Sequence, residues 1–388
     1  MRILHCCLAA FYIDDFGYQE NILPKIHKEL GHEVSIVAST ENYVGNTERG
    51  HSRARSYLTP EGIPITRLAY AGWLPAALAK KLRIYQGLTN AIEQLRPDVF
   101  FLHDCQFVSI YEIARYAKKH PEVRIYVDSH TDFINSARGW VSKNVLHKIV
   151  YRWCAKKIEP VTKKFYGTLP LRVDFLRDVY GISGSKVELL VLGADHSVVD
   201  VDRRKEIREA YRKKLGVGMD EFLLISGGKI DRRKNIQNLI EAVKSIDYPN
   251  VKLLLFGTPT AEMKDEISKC LPHESIIMLG WLSYTEISHY LLASDLAIFP
   301  GTHSVIWEQT VGLGVPCIFK RWSGIEHVDV GGNCVFIDRG DENDIRNALL
   351  QIVDSPAICD AMKKVAIGKG IPVFSYSEIA KRSIECDG

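Results

Sequence analysis

The sequence predicts an α/β protein built from two doubly wound halves. Strand-like and helix-like segments alternate from end to end, the pattern of parallel sheets covered on both faces by helices. One charged stretch interrupts the alternation, which then restarts. The 388 residues exceed the size at which a single core usually stops growing, so two domains are expected.

Each element follows in order. "RILHCCL" reads as a first buried strand. A loop leads from it to "YQENILPKIHKELGH", where Ile22, Ile26 and Leu30 recur every four residues and Gly31 ends the helix. "EVSIVAS" is the second strand. "DVFFLHD", "RIYVDSH" and "VELLVLG" are later strands, each after a helical pattern such as "LTNAIEQLR" or "SIYEIARYAKKH". After Gly193 the texture changes to "ADHSVVDVDRRKEIREAYRKKLGVGMDE", a charged segment with little core material of its own, read as an interdomain hinge. The second half then brings "FLLISGG", "VKLLLFG", "IIMLG", "LAIFP", "PCIFK" and "CVFID" as strands, with helices such as "NIQNLIEAVKSI" and "ENDIRNALLQIVD" among them. In such sheets ligands sit beyond the carboxyl ends of strands, so the cleft between the halves is where chemistry is expected.

Composition excludes several classes. With 46% hydrophobic residues, 25% charged and a formal charge of +3, the chain is neither disordered nor fibrous, and net charge names no partner. Nine cysteines are scattered without a Cys-x-x-Cys pair, which points to reduced thiols in a cytoplasm. His5, Cys6 and Cys7 alternate across a strand and cannot converge on one metal ion. The N-terminus reads as a strand, not a signal peptide, because Asp14 and Asp15 break its apolar run and no small-residue cleavage site follows. No window approaches the roughly 18 apolar residues of a spanning helix.

The strongest chemical motif is "LLISGGKIDRRKNIQNLIEAV". An apolar strand runs into Gly227-Gly228, and Lys229, Arg232, Arg233 and Lys234 crowd the crossover before a helix. Backbone amides and cations at that place suit a phosphorylated ligand; a solvated loop is the plain alternative. It is not a P-loop, and no Gly-x-Gly-x-x-Gly fingerprint follows any strand. A second segment, "FPGTHSVIWEQTVGLGVPCIF", opens a helix with a lone glutamate, Glu308, which the helix dipole alone would favour.

Over nearly its whole length the chain resembles the family 4 retaining glycosyltransferases of the GT-B fold. "SGGKIDRRKN" is similar to the family's Gly-Arg-x-Lys diphosphate motif, with Lys229 and Lys234 at the basic positions and Gly228 beside them. "EQTVGLGVPCI" resembles the Glu-Ala-x-Ala-x-Gly-x-Pro-Val-Ile block. "FSYSEIAKRSIE" resembles the terminal helix that crosses back to the first domain. The resemblance implies that Glu308 grips the ribose hydroxyls of a nucleotide, a task a carboxylate suits because it can accept from two adjacent hydroxyls. The family's first glutamate is absent: Pro300 stands eight residues before Glu308, and Gly301, Thr302, His303 and Ser304 are expected to substitute near the sugar. By the same resemblance Gly17 of "DDFGYQ" approaches the donor phosphates and His130 of "VDSHTDF" lies beside the reacting sugar, with His103 the weaker second histidine. Asp200-Val201-Asp202 matches the metal-nucleotide motif of unrelated transferases, but its place before "RRKEIREAYRKK" reads as helix capping.

The implied domains are 1–195 for the acceptor, 196–372 for the donor, and 373–388 for the returning helix. The implied activity is metal-independent transfer, with retention, from a UDP- or GDP-linked sugar, with no cofactor. His130, Lys229 and Lys234 are the catalytic candidates. Acceptors would be glycans or polyprenyl-diphosphate-linked sugars in bacterial surface polysaccharide or glycoconjugate synthesis. Between 143 and 172, basic residues interleave with Val145, Leu146, Ile149, Val150 and Trp153, which reads as a basic amphipathic helix for an anionic membrane surface or as a solvated face. That places the protein in the cytoplasm, peripherally at the inner face of the membrane. A GT-B-fold nucleotide-sugar epimerase is the alternative. A nucleic-acid-binding protein using the basic face is the rival from another class, and no nucleic-acid module supports it.

Overall fold

The structure, a computed structural model, describes residues 1–14, 16–44, 48–137, 139–246 and 248–385. The chain divides into two compact units, Met1–Val191 with Ile379–Gly388, and Leu192–Glu378. The expected boundaries, 195/196 and 372/373, lie a few residues from these.

The first unit carries an eight-stranded sheet. Its order is Val187–Leu189, Lys164–Gly167, Arg124–Ser129, Val99–His103, Arg2–Cys7, Glu33–Ser39, Pro64–Leu68, Ser56–Leu58. Every pair is parallel except the last. Val99–His103 is buried at all five positions, as a strand covered on both faces must be. The strand order reverses between Arg2–Cys7 and Val99–His103, so the loops after these two strands flank a topological switch point. Helix Gln19–Glu29 follows the first of them. It buries Ile22 and Ile26, whereas Leu30, expected on the same stripe, is the exposed cap residue before Gly31 turns left-handed at φ 87°.

Five strands depart from expectation. Lys164–Gly167, Pro64–Leu68 and Ser56–Leu58 are strands that no apolar run announces, and Glu41–Val44 pairs antiparallel with Glu48–His51. The basic stretch 143–172 is not one amphipathic helix. A π-helical segment, Ser142–Tyr151, continues as α-helix Arg152–Ile158, after which the chain turns into the strand Lys164–Gly167 and the helix Pro170–Asp178. Lys164 pairs with Glu188, and Arg172 binds Asp132 at 3.1 Å, so these two charges belong to the unit's own ion pairs.

The second unit is a six-stranded, all-parallel sheet, ordered Ile276–Met278, Val251–Phe256, Phe222–Gly227, Leu296–Phe299, Cys317–Lys320, Cys334–Ile337. All six were readable as short apolar runs. Helix Ile236–Ser245 lays Ile236, Leu239, Ile240 and Val243 into the core with Leu224, Leu253 and Leu255. The charged segment read as a hinge lies inside this unit. Its helix, Arg204–Leu215, buries Arg212 against Asp295 at 3.1 Å, with Arg208 on the same carboxylate at 2.6 Å. Asp200 caps the turn before it by accepting from the Asp202 amide, the capping role expected of that acid pair.

The last helix, Tyr376–Ile384, begins in the second unit and ends in the first. Tyr376 donates its amide to the Ala194 carbonyl. At the other end Tyr166 reaches the Arg382 carbonyl and His27 the Ala380 carbonyl. Eight described cysteines are free thiols, most of them buried.

Candidate active site

In the second unit the strand order reverses between Phe222–Gly227 and Leu296–Phe299, and the two loops singled out by sequence follow these two strands. Hydrogen bonds stitch the loops together. Thr302 donates its amide to the Arg233 carbonyl at 3.0 Å, Lys234 Nζ donates to the Thr302 carbonyl at 2.7 Å, and Asn235 Nδ2 donates to the Pro300 carbonyl at 2.9 Å. Gly301 is required for the close approach, since a Cβ there would strike the backbone of Arg233 and Lys234. Trp322 Nε1 closes the brace on the Gly301 carbonyl at 3.1 Å. Gly228 sits at φ 110° with open space where a side chain would project, so a ligand can approach its backbone.

The four basic residues of the first loop divide into pairs. Arg232 is engaged by Glu262 at 2.8 Å and Glu266 at 2.6 Å, and Arg233 by Asp231 at 2.6 Å. Lys229 is exposed, and among the described residues its ammonium meets no hydrogen-bonding partner. Lys234 is half-buried, and burial pulls its ammonium down to about 8, against Asp231, which raises it. One of its three N–H donors is held by Thr302, which leaves two.

Glu308 is 0% exposed. Every residue of its helix, Ile306–Gly312, is buried, and Gly312 fits where a Cβ would meet the Phe374 carbonyl at 2.6 Å. Its Oε1 accepts from His303 Nε2 at 2.7 Å and from His327 Nε2 at 3.0 Å. Burial would raise the carboxyl, but the two imidazoles hold it down at about 2. The other oxygen, Oε2, is buried without a hydrogen-bond partner among the described residues. A buried anion with one oxygen unpaired is costly unless a ligand completes it. His327, in the turn Glu326–Val328, was missed by sequence reasoning. Ser304 is half-buried, and its carbonyl accepts from the Trp307 amide. Gly301 and Thr302 serve as a backbone brace, and His303 clamps Glu308.

In the first unit the strand ends gather a second cluster. His130 is 22% exposed; its Nε2 lies 3.4 Å from Asp128 Oδ2 and 3.9 Å from Glu20 Oε1. Burial would lower this imidazole, but Asp128 and Glu20 raise it to about 9, so it is an imidazolium at neutral pH. Asp104, at φ 68°, accepts from Thr131 Oγ1 at 3.0 Å. Gly17 lies half-buried in the loop just before helix Gln19–Glu29. Ligand atoms of Glu20, His103 and His130 fall within 4.8 Å of one another, close enough to suggest a metal site. His103, however, is fully buried with both ring nitrogens engaged, by Asp128 at 3.0 Å and by His5 at 3.0 Å. The group is therefore an ion-pair network, and His103 is closed to substrate.

Residues 27–162 match the family described as glycosyl transferase 4-like domain, and residues 207–368 match the glycosyl transferases group 1, one match in each unit. The chain belongs to the family 4-like glycosyltransferases of the GT-B fold. The chain is 32% identical over 126 residues to a putative teichuronic acid biosynthesis glycosyltransferase of Bacillus subtilis, across 31% of this chain and 30% of that one. It is 25% identical over 166 residues to an alpha-monoglucosyldiacylglycerol synthase of Acholeplasma laidlawii, across 41% of each. The chain spans between 30% and 53% of the length of the curated relatives it matches. In fold it resembles an Anabaena protein, HepE, solved in complex with UDP-glucose, with TM-score 0.65, 14% identity and coverage of 99% and 98% of the two chains. The group 1 match includes Lys229, Lys234, His303, Glu308 and His327.

Proposed function

We propose that the chain transfers a sugar, with retention and without a metal, from a UDP- or GDP-linked donor to a glycan or lipid-linked acceptor in surface polysaccharide or glycoconjugate synthesis. The observation that carries this reading is Glu308 Oε2, a buried carboxylate oxygen with no partner, held on loops braced to Lys234. A pair of ribose hydroxyls would complete it. The free N–H groups of Lys234, with Lys229 and the bare backbone at Gly228, would receive the diphosphate. Charge developing on the leaving phosphate is then met by preorganised ammonium groups. His130 of the first unit, raised to about 9 by Asp128 and Glu20, is the catalytic candidate that this reading assigns to the reacting sugar and its phosphate. The relatives named for teichuronic acid and glycolipid synthesis, and the fold neighbour holding UDP-glucose, support the donor and acceptor classes.

The test is a thermal-shift panel of nucleoside diphosphates and nucleotide sugars. A ligand at a hundred times its dissociation constant stabilises by about 2.7 kcal/mol. No shift with any UDP or GDP compound overturns the reading. Conversion of a nucleotide sugar to its epimer without acceptor would establish the epimerase alternative.

A membrane-associated acceptor is part of the proposal. Val141, Val145, Ile149 and Trp153 recur every four residues along the outer face of the helix through 142–158, Trp140 precedes them, and all five are exposed. Lys143, Lys148, Arg152, Lys156 and Lys157 are exposed around them. Such a face suits the surface of an anionic bilayer, here the inner face of the cell membrane. Co-sedimentation with phosphatidylglycerol vesicles, but not phosphatidylcholine, is expected to fall sharply in Ile149→Glu. Equal binding by that variant sinks the membrane role.

A further inference from the structure

Three fully buried histidines form a line through the first unit. His103, at the end of Val99–His103, lies beside Asp128 in register on the adjacent strand, and its Nδ1 is 3.0 Å from Asp128 Oδ2. Its Nε2 is 3.0 Å from His5 Nδ1 on the neighbouring strand Arg2–Cys7. His5 Nε2 is 3.0 Å from His27 Nδ1 on helix Gln19–Glu29. His27 Nε2 ends the line, 3.0 Å from the Ala380 carbonyl and 3.1 Å from Ser383 Oγ on the last helix. Phe101 packs beside all three rings.

The line fixes a proton count. A carboxylate and a carbonyl only accept, so both ends require an N–H from a histidine, at His103 Nδ1 and His27 Nε2. Ser383 Oγ lies 2.8 Å from the Ala380 carbonyl and donates to it, which leaves the hydroxyl free to accept from His27 as well. Each of the two nitrogen-to-nitrogen contacts needs one further proton. Four contacts thus take four protons, where three neutral rings carry three.

We infer that His103 is a positioning residue that carries the extra proton, and that neutral His5 and His27, both protonated on Nε2, hold it there by relaying the polarity of the line to the Ala380 carbonyl. Two observations agree with this placement. Burial lowers His5 strongly, with His27 and His103 adding to the effect, and burial lowers His27 to about 4, so neither ring is the cation. Burial would raise the Asp128 carboxyl, yet His103 and His130 hold it well below the usual carboxylate range. On this placement Asp128 is shared by His103 at 3.0 Å and His130 at 3.4 Å. The other charged groups facing His130 are Glu20, Asp104 and Arg172, and His32 is the further titratable ring beside His27.

Removing the sink at the far end should reverse the line. In His27→Phe, His5 Nε2–H would have no acceptor, so His5 would keep its single proton on Nδ1 and donate it to His103. His103 would then be neutral, Asp128 would face His130 alone, and His130 would become harder to deprotonate.

The experiment is long-range nitrogen–proton NMR on the histidine-labelled full chain. At pH 7 the expected spectrum shows His103 protonated on both nitrogens, with His5 and His27 protonated on Nε2 only. A neutral His103, or a proton on Nδ1 of His5 or His27 in its neutral ring, overturns the inference. In His27→Phe the titration midpoint of His130 should rise by about one pH unit, a tenfold change in its proton affinity. A midpoint that stays in place while the variant merely melts earlier shows a structural role alone and also overturns it. If the variant does not fold, the wild-type spectrum decides. The proton count is independent of the transferase reading; only a part for His130 in turnover, which would make the alkaline limb of the rate follow its midpoint, rests on it. A shifted midpoint with an unshifted alkaline limb of turnover would uphold the count and remove His130 from the reaction.

Discussion

The two clusters at strand ends handle buried charge in opposite ways. Around Asp128 in the first unit, the histidine line leaves no ring nitrogen of His5, His27 or His103 unpaired, and His130 Nε2 faces Asp128 at 3.4 Å as an ion pair without a hydrogen bond. Around Glu308 in the second unit, two histidines crowd onto one oxygen and the other stays bare. A satisfied network is a fixed electrostatic frame. A deliberately incomplete one is shaped for something that arrives. On the proposed reading, the bare Glu308 oxygen marks the donor half-site more specifically than motif spacing does.

The largest expected effect tests the incomplete cluster. Lys234→Ala should lower turnover by about a hundred- to a thousandfold, the usual loss when one preorganised charge is removed. The melting temperature should move little, since the braces Thr302 N to Arg233 O and Asn235 to Pro300 O remain. Donor hydrolysis at the wild-type rate would refute the role. Next in size, Glu308→Gln keeps the volume and an oxygen for His303 and His327 but presents an amide where the bare carboxylate oxygen stood. Hydrogen bonds to charged groups contribute about 1.5–3 kcal/mol, so nucleotide affinity should weaken by roughly ten- to a hundredfold. Calorimetry showing unchanged affinity would mean that Oε2 faces no ribose. The variant should also melt somewhat lower, because a carboxyl held at about 2 by two imidazoles stabilises the fold at neutral pH, so affinity is compared well below both melting temperatures.

A pH series should separate the same two roles at smaller amplitude. The Lys234 ammonium, lowered to about 8 by burial, is lost as pH rises past that value, so diphosphate affinity should fall by up to about tenfold per unit above it. The stability sign runs the other way. The folded value lies below the unfolded one near 10.5, so this lysine makes the fold relatively more stable as pH rises from about 8 toward 10.5. Because the His130 imidazolium, raised to about 9, titrates in the same window, the part of the binding loss that disappears in Lys234→Ala identifies the lysine. Glu308, held at about 2, stays ionised throughout.

How much of this was legible follows from what each element carries on its surface. The six strands of the second unit are short runs of leucine, isoleucine, valine and phenylalanine, because parallel strands buried on both faces need no polar alternation. Strands such as Pro64–Leu68 and Lys164–Gly167 were hidden because their polar residues find partners only through tertiary contacts. Arg67 is buried, and its guanidinium meets the Ser39 carbonyl at 2.9 Å and Asp14 at 2.9 Å, an arrangement no local window contains. Glu308 and Lys234 were readable from the resemblance and from their places at strand-to-helix crossovers. His327 was not. It comes from a turn beyond the next strand, and its only signal was indirect: a glutamate in a helix bounded by apolar residues needs donors from outside the helix. Likewise His5 could be excluded as a metal ligand by strand alternation, but its link to His27 depends on how a helix packs on the sheet.

The smallest expected effect is also the sharpest check on which charges matter. Sequence placed four basic residues at one crossover; the structure pairs Arg232 with Glu262 and Glu266, and Arg233 with Asp231, and leaves the two lysines for a ligand. Arg232→Gln should therefore leave turnover and nucleotide affinity within roughly twofold of wild type, since an exposed ion pair contributes little. If diphosphate binding were instead a matter of summed positive charge around the loop, removing Arg232 would weaken it about as much as removing Lys229, and more so at low salt. Titrating both variants with UDP at two ionic strengths distinguishes the cases. A salt-sensitive loss in Arg232→Gln would show that the anion reads the field of the whole loop; a loss confined to the lysine variants, at both ionic strengths, would show that it is held by two particular ammonium groups.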